Sequence, residues 1–283
     1  MSETCILTDT LIQYPTLRFP GQNRVRTVAI SSVVSGAKVE DSVEYKITDL
    51  PNSVDDKIAP HLESPSVEFF RKLFATLLET NDEILAIFSS GALTSICQNA
   101  SEAAAKIDRQ MRIQIIDSQT FSLGLGYLVK FAAEQLEKGI PSKIVSQSVY
   151  VKIPHIFTLV NIPSLSYLYY NGLIDRAQAW VGEKLELMPN FTLEEGEFLS
   201  TDKMRNKRHI TEYFLEYIKE FEAVKYIAFM YGDPAFTQTA KIIRDFLKDN
   251  YAAVEFTEHK ILLPAAILFG PTCQGLIIVD DES

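Results

Sequence analysis

The chemistry-bearing side chains of this chain gather most densely where the apolar pair Ile115-Ile116 runs into Asp117-Ser118-Gln119-Thr120, followed by Ser122, Gly124 and Gly126. A β-branched run that meets cap-type residues and then a long periodic segment is a strand turning into a helix, which sets an α/β context. Asp117 and Ser118 read as turn chemistry shaping that corner. Gly124 and Gly126 lack the third glycine of a dinucleotide fingerprint, and close backbone packing explains them better. No GxSxG elbow, P-loop or HExxH motif is present, so nothing nominates a catalytic residue. His61, His155, His209 and His259 are far apart and without metal-ligand spacing, so no metal site is expected. Function has to be argued from pocket chemistry, not from a nucleophile.

Composition narrows the partners. The 283 residues include 47 % hydrophobic and 23 % charged side chains, an ordinary globular balance able to bury a sizeable core. The 17 Phe and 12 Tyr could line an apolar cavity, although core packing is their commoner use. A formal net charge of −10 argues against nucleic acid, because phosphate binding needs a dense basic surface. The one basic cluster, Lys203, Arg205, Lys207, Arg208 and His209, is short and reads as a solvated helix start or a local docking patch. Cys5, Cys97 and Cys273 are odd in number and widely spaced, which implies free thiols in a reducing cytoplasm. No apolar run approaches the roughly 18 residues of a membrane span, and no signal-type core follows the N-terminus.

The elements that must position these residues alternate. Strands are expected at Cys5–Leu7, across Val25–Val34, at Glu83–Phe88 and at Arg112–Asp117, with residues 37–60 as a polar loop. Ser66 should cap a helix carrying Phe70, Phe74 and Leu77, and further helices are expected over Ala92–Ile107, Leu123–Glu137 and Ser142–Lys152. This β-α-β-α order implies parallel strands with right-handed crossovers. The pattern changes at Ile153–His155, giving two expected α/β lobes, 1–154 and 155–283. The second should hold strands near His155–Leu159, Leu187–Thr192, Phe198–Ser200, Lys225–Met230, Ala253–Thr257 and Leu276–Val279. Its helices are expected at Ser164–Tyr170, Arg176–Val181, Lys207–Glu220 and Pro234–Leu247.

Six segments, in order, resemble the DegV family of bacterial lipid-binding proteins. Ile116-Asp117-Ser118 with Gly124 and Gly126 is similar to its IDS and glycine-spaced signature. Cys5 to Thr10 with Pro15 resembles its N-terminal TDST pattern. Leu93-Thr94-Ser95 with Asn99-Ala100 resembles its LSGTY segment, and Leu165 to Ile174 its YL-x-KGGRI segment. Lys203 to Arg208 resembles a basic helix opening, and Gly270-Pro271 the late H-x-GPG. The resemblance implies two α/β lobes, a long-chain fatty acid buried in the first with its head group near their junction, and presentation to a separate fatty acid kinase. No cofactor beyond the bound lipid is implied.

The polar end of that implied site departs from the pattern. The family gathers a Thr, a Ser and a late His around the carboxylate. Here Leu62, ahead of Ser64-Pro65-Ser66, stands at the Thr position, Thr94 at the Ser position, and Leu268 at the His position. Ser95 replaces the glycine that follows, and Leu173 replaces the loop Arg thought to engage the kinase, while Arg205 keeps a matching basic position. A buried alkyl chain gains ~0.8 kcal/mol per CH₂, roughly 10 kcal/mol or more in all before association costs. Losing one hydrogen bond to a charged group costs about 1.5–3 kcal/mol. The tail can therefore outweigh two lost contacts. Two ligands fit: a fatty acid held mainly by Thr94, or a less charged lipid. The leading expectation is a non-catalytic, cytoplasmic lipid carrier. The alternatives are a member without lipid that serves as an interaction protein, and a lipid-acting enzyme subunit.

Overall fold

A computed structural model describes residues 3–39, 45–55, 57, 59–107, 112–204, 206–251 and 253–280. The chain divides into two compact units. The first comprises Met1–Ser31 with Glu63–Pro154, the second Ser32–Leu62 with His155–Ser283. The sequence places one boundary at 153–155 and assigns everything before it to the first lobe. Residues 32–62 instead pack with the second unit.

The first unit is built on a parallel sheet of β1 (Thr4–Asp9), β2 (Val25–Val28), β6 (Glu83–Phe88) and β7 (Ile113–Asp117), in the order β2-β1-β6-β7. All of β1 is buried and so is β6 beyond Glu83, because both faces are covered. Helices α1 (Val67–Thr80) and α2 (Ile96–Ala104) pack together, as do α3 (Ser122–Glu137) and α4 (Ser142–Lys152). Ser66 caps α1 as its position implies, its Oγ accepting the Phe69 N–H at 3.2 Å. A Cβ at Gly126 of α3 would collide with the Gln13 carbonyl, so this glycine serves close packing of a loop against the helix.

Three expectations shift here. The β-branched run Val25–Val34 is not one strand: it breaks at Ala29-Ile30, where the Ile30 N–H donates to Thr10 Oγ1 at 3.0 Å instead of to a neighbouring strand. Its second half, β3 (Ser31–Val34), joins β4 (Ala37–Val39) and β5 (His61–Glu63) in a separate three-stranded sheet. Helix α2 begins at Ile96, four residues later than the periodicity implies, so Thr94 lies in the turn before the helix and does not cap it.

The second unit centres on a six-stranded sheet of β8 (Ile156–Asn161), β9 (Met188–Glu194), β10 (Glu197–Met204), β11 (Val224–Tyr231), β12 (Glu255–Lys260) and β13 (Gln274–Asp280), ordered β10-β9-β8-β13-β11-β12. Only β11 and β12 pair in parallel; the other neighbours are antiparallel. Helices α7 (Lys207–Lys219) and α8 (Thr237–Asn250) close one face of the sheet, their Phe214 and Ile243 sharing a core with Leu159, Phe229 and Leu276. Helices α5 (Leu165–Tyr170), α6 (Arg176–Lys184) and α9 (Leu263–Phe269) form a further packed group. Every residue of α9 is buried, so it has no polar face and no helical period to read.

Candidate functional site

In the first unit the strand order reverses between β1 and β6, and such a point opens a crevice at the carboxyl ends of parallel strands. Asp9 ends β1 there and is fully buried. Its Oδ1 accepts the Leu11 N–H at 2.9 Å and its Oδ2 the Ser89 N–H at 2.7 Å. Burial pushes this carboxyl up to about 6, against the pull of those hydrogen bonds.

The loop leaving β6 is held at three successive amides. Ser89 N–H goes to Asp9, Ser90 N–H to the Thr120 carbonyl at 2.8 Å, and Gly91 N–H to Asp117 Oδ2 at 3.0 Å. Asp117 Oδ1 takes the Gln119 N–H at 2.9 Å and the Ser118 hydroxyl donates to the Thr120 carbonyl at 3.1 Å, the turn chemistry these residues suggested. The Ser90 carbonyl then accepts from Leu93 at 3.0 Å and Thr94 at 3.3 Å, folding the turn that presents Thr94. The Cys97 thiol, buried behind this loop, is pushed up by burial and by the charges of Asp117 and Asp9, so it is no nucleophile.

Thr94 Oγ1 is buried and finds no hydrogen-bond partner among the described residues. A buried hydroxyl left unpaired costs about 1–3 kcal/mol unless something else satisfies it. Asn99 draws the neighbouring expected residues to it. Its backbone N–H donates to the Ser95 carbonyl at 3.0 Å, and its side-chain amide to the Pro65 carbonyl at 2.8 Å. Ser64, half-buried, precedes the Pro65 carbonyl that Asn99 ties to the first turn of α2.

Leu62 and Leu268 belong to the second unit, and there Asn171 joins their elements. Its Oδ1 accepts the Leu62 N–H at 3.3 Å, and its Nδ2 donates to the Ile267 carbonyl at 2.8 Å, beside the fully buried Leu268. The same amide reaches the Tyr167 carbonyl at 3.0 Å and the Pro60 carbonyl at 3.3 Å. Leu173, in the turn after α5, helps line a cavity of about 660 Å³ walled by Leu165, Val181, Pro189, Phe191 and Phe198. That volume lies within the roughly 300–1,000 Å³ usual for ligand pockets. Arg205 lies outside the described residues. Among the described residues no cluster of His, Cys, Asp and Glu could hold a metal ion. Sequence reasoning missed Asp9, Asn99 and Asn171 as organisers. Only the Asp at a strand end carried a readable signal.

A family model described as "Uncharacterised protein, DegV family" matches residues 3–281. The chain belongs to the DegV family. A DegV domain-containing protein of Caldanaerobacter subterraneus subsp. tengcongensis is 29 % identical over 224 residues, 77 % of this chain and 78 % of the relative. One from Deinococcus radiodurans is 24 % identical over 261 residues, covering 90 % of each. Among solved structures, a DegV family protein from Thermus thermophilus, described by its fatty acid binding, superposes with a TM-score of 0.82 at 28 % identity, covering 99 % of this chain and 100 % of that one. The Streptococcus pneumoniae fatty acid kinase (Fak) B3 protein, loaded with linoleic acid, gives 0.80 at 14 % identity over 99 % and 100 % of the two chains. At that identity the likeness is one of fold, and it confirms the mixed α/β DegV architecture.

Proposed function

We propose that this chain is a non-catalytic binding and carrier protein for a long-chain fatty acid or a related lipid. The observation that carries the reading is the buried Thr94 hydroxyl, unpartnered among the described residues, on a loop fastened at the switch point of a parallel sheet. A ligand oxygen is the partner that position lacks. The fatty-acid-binding description of the T. thermophilus relative supports the same ligand class. Thr94 and backbone N–H groups of its loop carry the polar contact, and the alkyl chain supplies most of the affinity.

Any acyl phosphorylation would be done by a separate kinase, with docking chemistry altered by Leu173. Among the described residues no helix is long and apolar enough to cross a membrane. Titration of the delipidated protein with a long-chain fatty acid tests the reading. Saturable uptake at one lipid per chain is expected. Failure to take up fatty acids, together with failure to take up their neutral analogues, would leave the lipid-free interaction protein as the better account.

A further inference from the structure

We propose that Asp9 is the positioning residue of the head-group loop: its carboxylate holds the turn that presents Thr94, and protonation of Asp9 loosens it. This rests on the lipid-binding reading for its consequence, but its geometry stands apart from any ligand. Thr94 N–H is tied to the Ser90 carbonyl, and the preceding residue, Ser89, is tied through its own N–H to Asp9 Oδ2 at 2.7 Å. The second oxygen, Oδ1, is committed to Leu11 N–H at 2.9 Å. Both oxygens are thus used as acceptors, and only the ionised carboxylate offers two without reserve. A protonated carboxyl, or an asparagine amide, offers one good acceptor and turns a donor toward the other N–H.

Two other anchors hold the loop independently of Asp9, Ser90 N–H on the Thr120 carbonyl at 2.8 Å and Gly91 N–H on Asp117 Oδ2 at 3.0 Å, so loss of the Asp9 bond loosens the turn at Ser89 without releasing it. The groups around Asp9 are few. From the loop after β6 it meets Ser89, from the turn after β1 Leu11, and from α2 the Cys97 thiol, which burial and the charges of Asp117 and Asp9 keep protonated and neutral. None of these brings a positive charge to stabilise the carboxylate. Burial then dominates, and the carboxyl titrates at about 6, within reach of ordinary solution conditions. Lowering the pH through that value converts a charge-assisted acceptor into a neutral one, and the loop loses part of its hold.

Amide hydrogen exchange on the intact chain tests this directly. After correction for intrinsic rates, protection of Ser89 and the amides through Thr94 should fall about tenfold between pH 7.5 and pH 5. Asp9→Asn should show the low protection at both pH values, with no pH step. The ratio of fatty acid affinity between the wild-type chain and Asp9→Asn should shrink toward one as pH falls, a comparison in which titration of the ligand itself cancels. Flat protection of this segment in the wild-type chain would overturn the proposal even if lipid binds. A pH step in protection without any lipid uptake would leave the positioning role intact and remove the lipid reading instead.

Discussion

The side-chain amide of Asn171 donates to the Ile267 carbonyl at 2.8 Å while its oxygen accepts the Leu62 N–H at 3.3 Å. One asparagine thereby ties the turn after α5 to both elements that carry Leu62 and Leu268. It also shows how those leucines are placed without any polar side chain of their own. Asn171→Ala leaves the Leu62 amide and the Ile267 carbonyl to find other partners. A loss of roughly 2–4 kcal/mol is expected from several buried hydrogen bonds at one site. Chemical denaturation of the second unit's transition measures it, and an effect below 0.5 kcal/mol, on the order of a surface substitution, would contradict the assigned role.

Thr94→Val keeps the shape of the side chain and removes the hydroxyl. Because that hydroxyl has no partner among the described residues, its loss should leave the stability of the lipid-free chain unchanged or slightly higher. Fatty acid affinity should drop about tenfold or more, the equivalent of one hydrogen bond to a charged group. Unchanged affinity in an isothermal titration would take Thr94 out of the site.

Gly126→Ala would drive a methyl group into the Gln13 carbonyl. Backbone, not a flexible side chain, occupies the space, so the loop after β1 must move. A destabilisation on the order of 2–4 kcal/mol is expected, seen as a lower melting temperature. A neutral result would mean that the loop adapts freely.

Asp9 also makes stability depend on pH, with a definite sign. Its native pKa of about 6 lies above the ordinary value of 3.8, so between those values the folded chain binds more protons than the unfolded one. Relative to the unfolded chain, where Asp9 is solvated, its contribution to global stability is therefore greatest below pH 4 and is lost as pH rises through 6, by an amount on the order of 3 kcal/mol. Local loosening, in which Asp9 stays buried, runs the other way, because the hydrogen bonds it loses favour the ionised form. Asp9→Asn should flatten this component of the stability–pH curve. Equal slopes for the two proteins between pH 4 and 6.5 would contradict the buried, raised carboxyl.

Local features were the legible ones. Ser66 as a cap, the strand Glu83–Phe88 and the helix Ser142–Lys152 follow from cap chemistry and periodicity, and the structure has each of them in place. What the sequence hid is carried by distant contacts. Residues 37–60 look like a loop of the first lobe, yet Tyr167 Oη donates to the Pro51 carbonyl at 2.6 Å and Ser166 Oγ accepts from Val54 N–H at 3.1 Å. Those bonds span more than a hundred residues, and no local pattern announces them. The start of α2 was misplaced because Leu93 is as apolar as a helical residue. A turn closed on the Ser90 carbonyl occupies those positions instead. The hydroxyl of Thr94 was visible in the sequence, but Asp9, which holds the loop before it, acts through the Ser89 and Leu11 backbone amides and leaves no spacing to read.

The central claim is that this chain carries a lipid held through Thr94. Denaturing extraction of the purified protein, followed by mass spectrometry of the released small molecules, tests it most directly. The account predicts a long-chain fatty acid or a close neutral analogue near one per chain, and a clear reduction in Thr94→Val. A protein that releases nothing lipid-like, and stays empty after incubation with fatty acids, would contradict it.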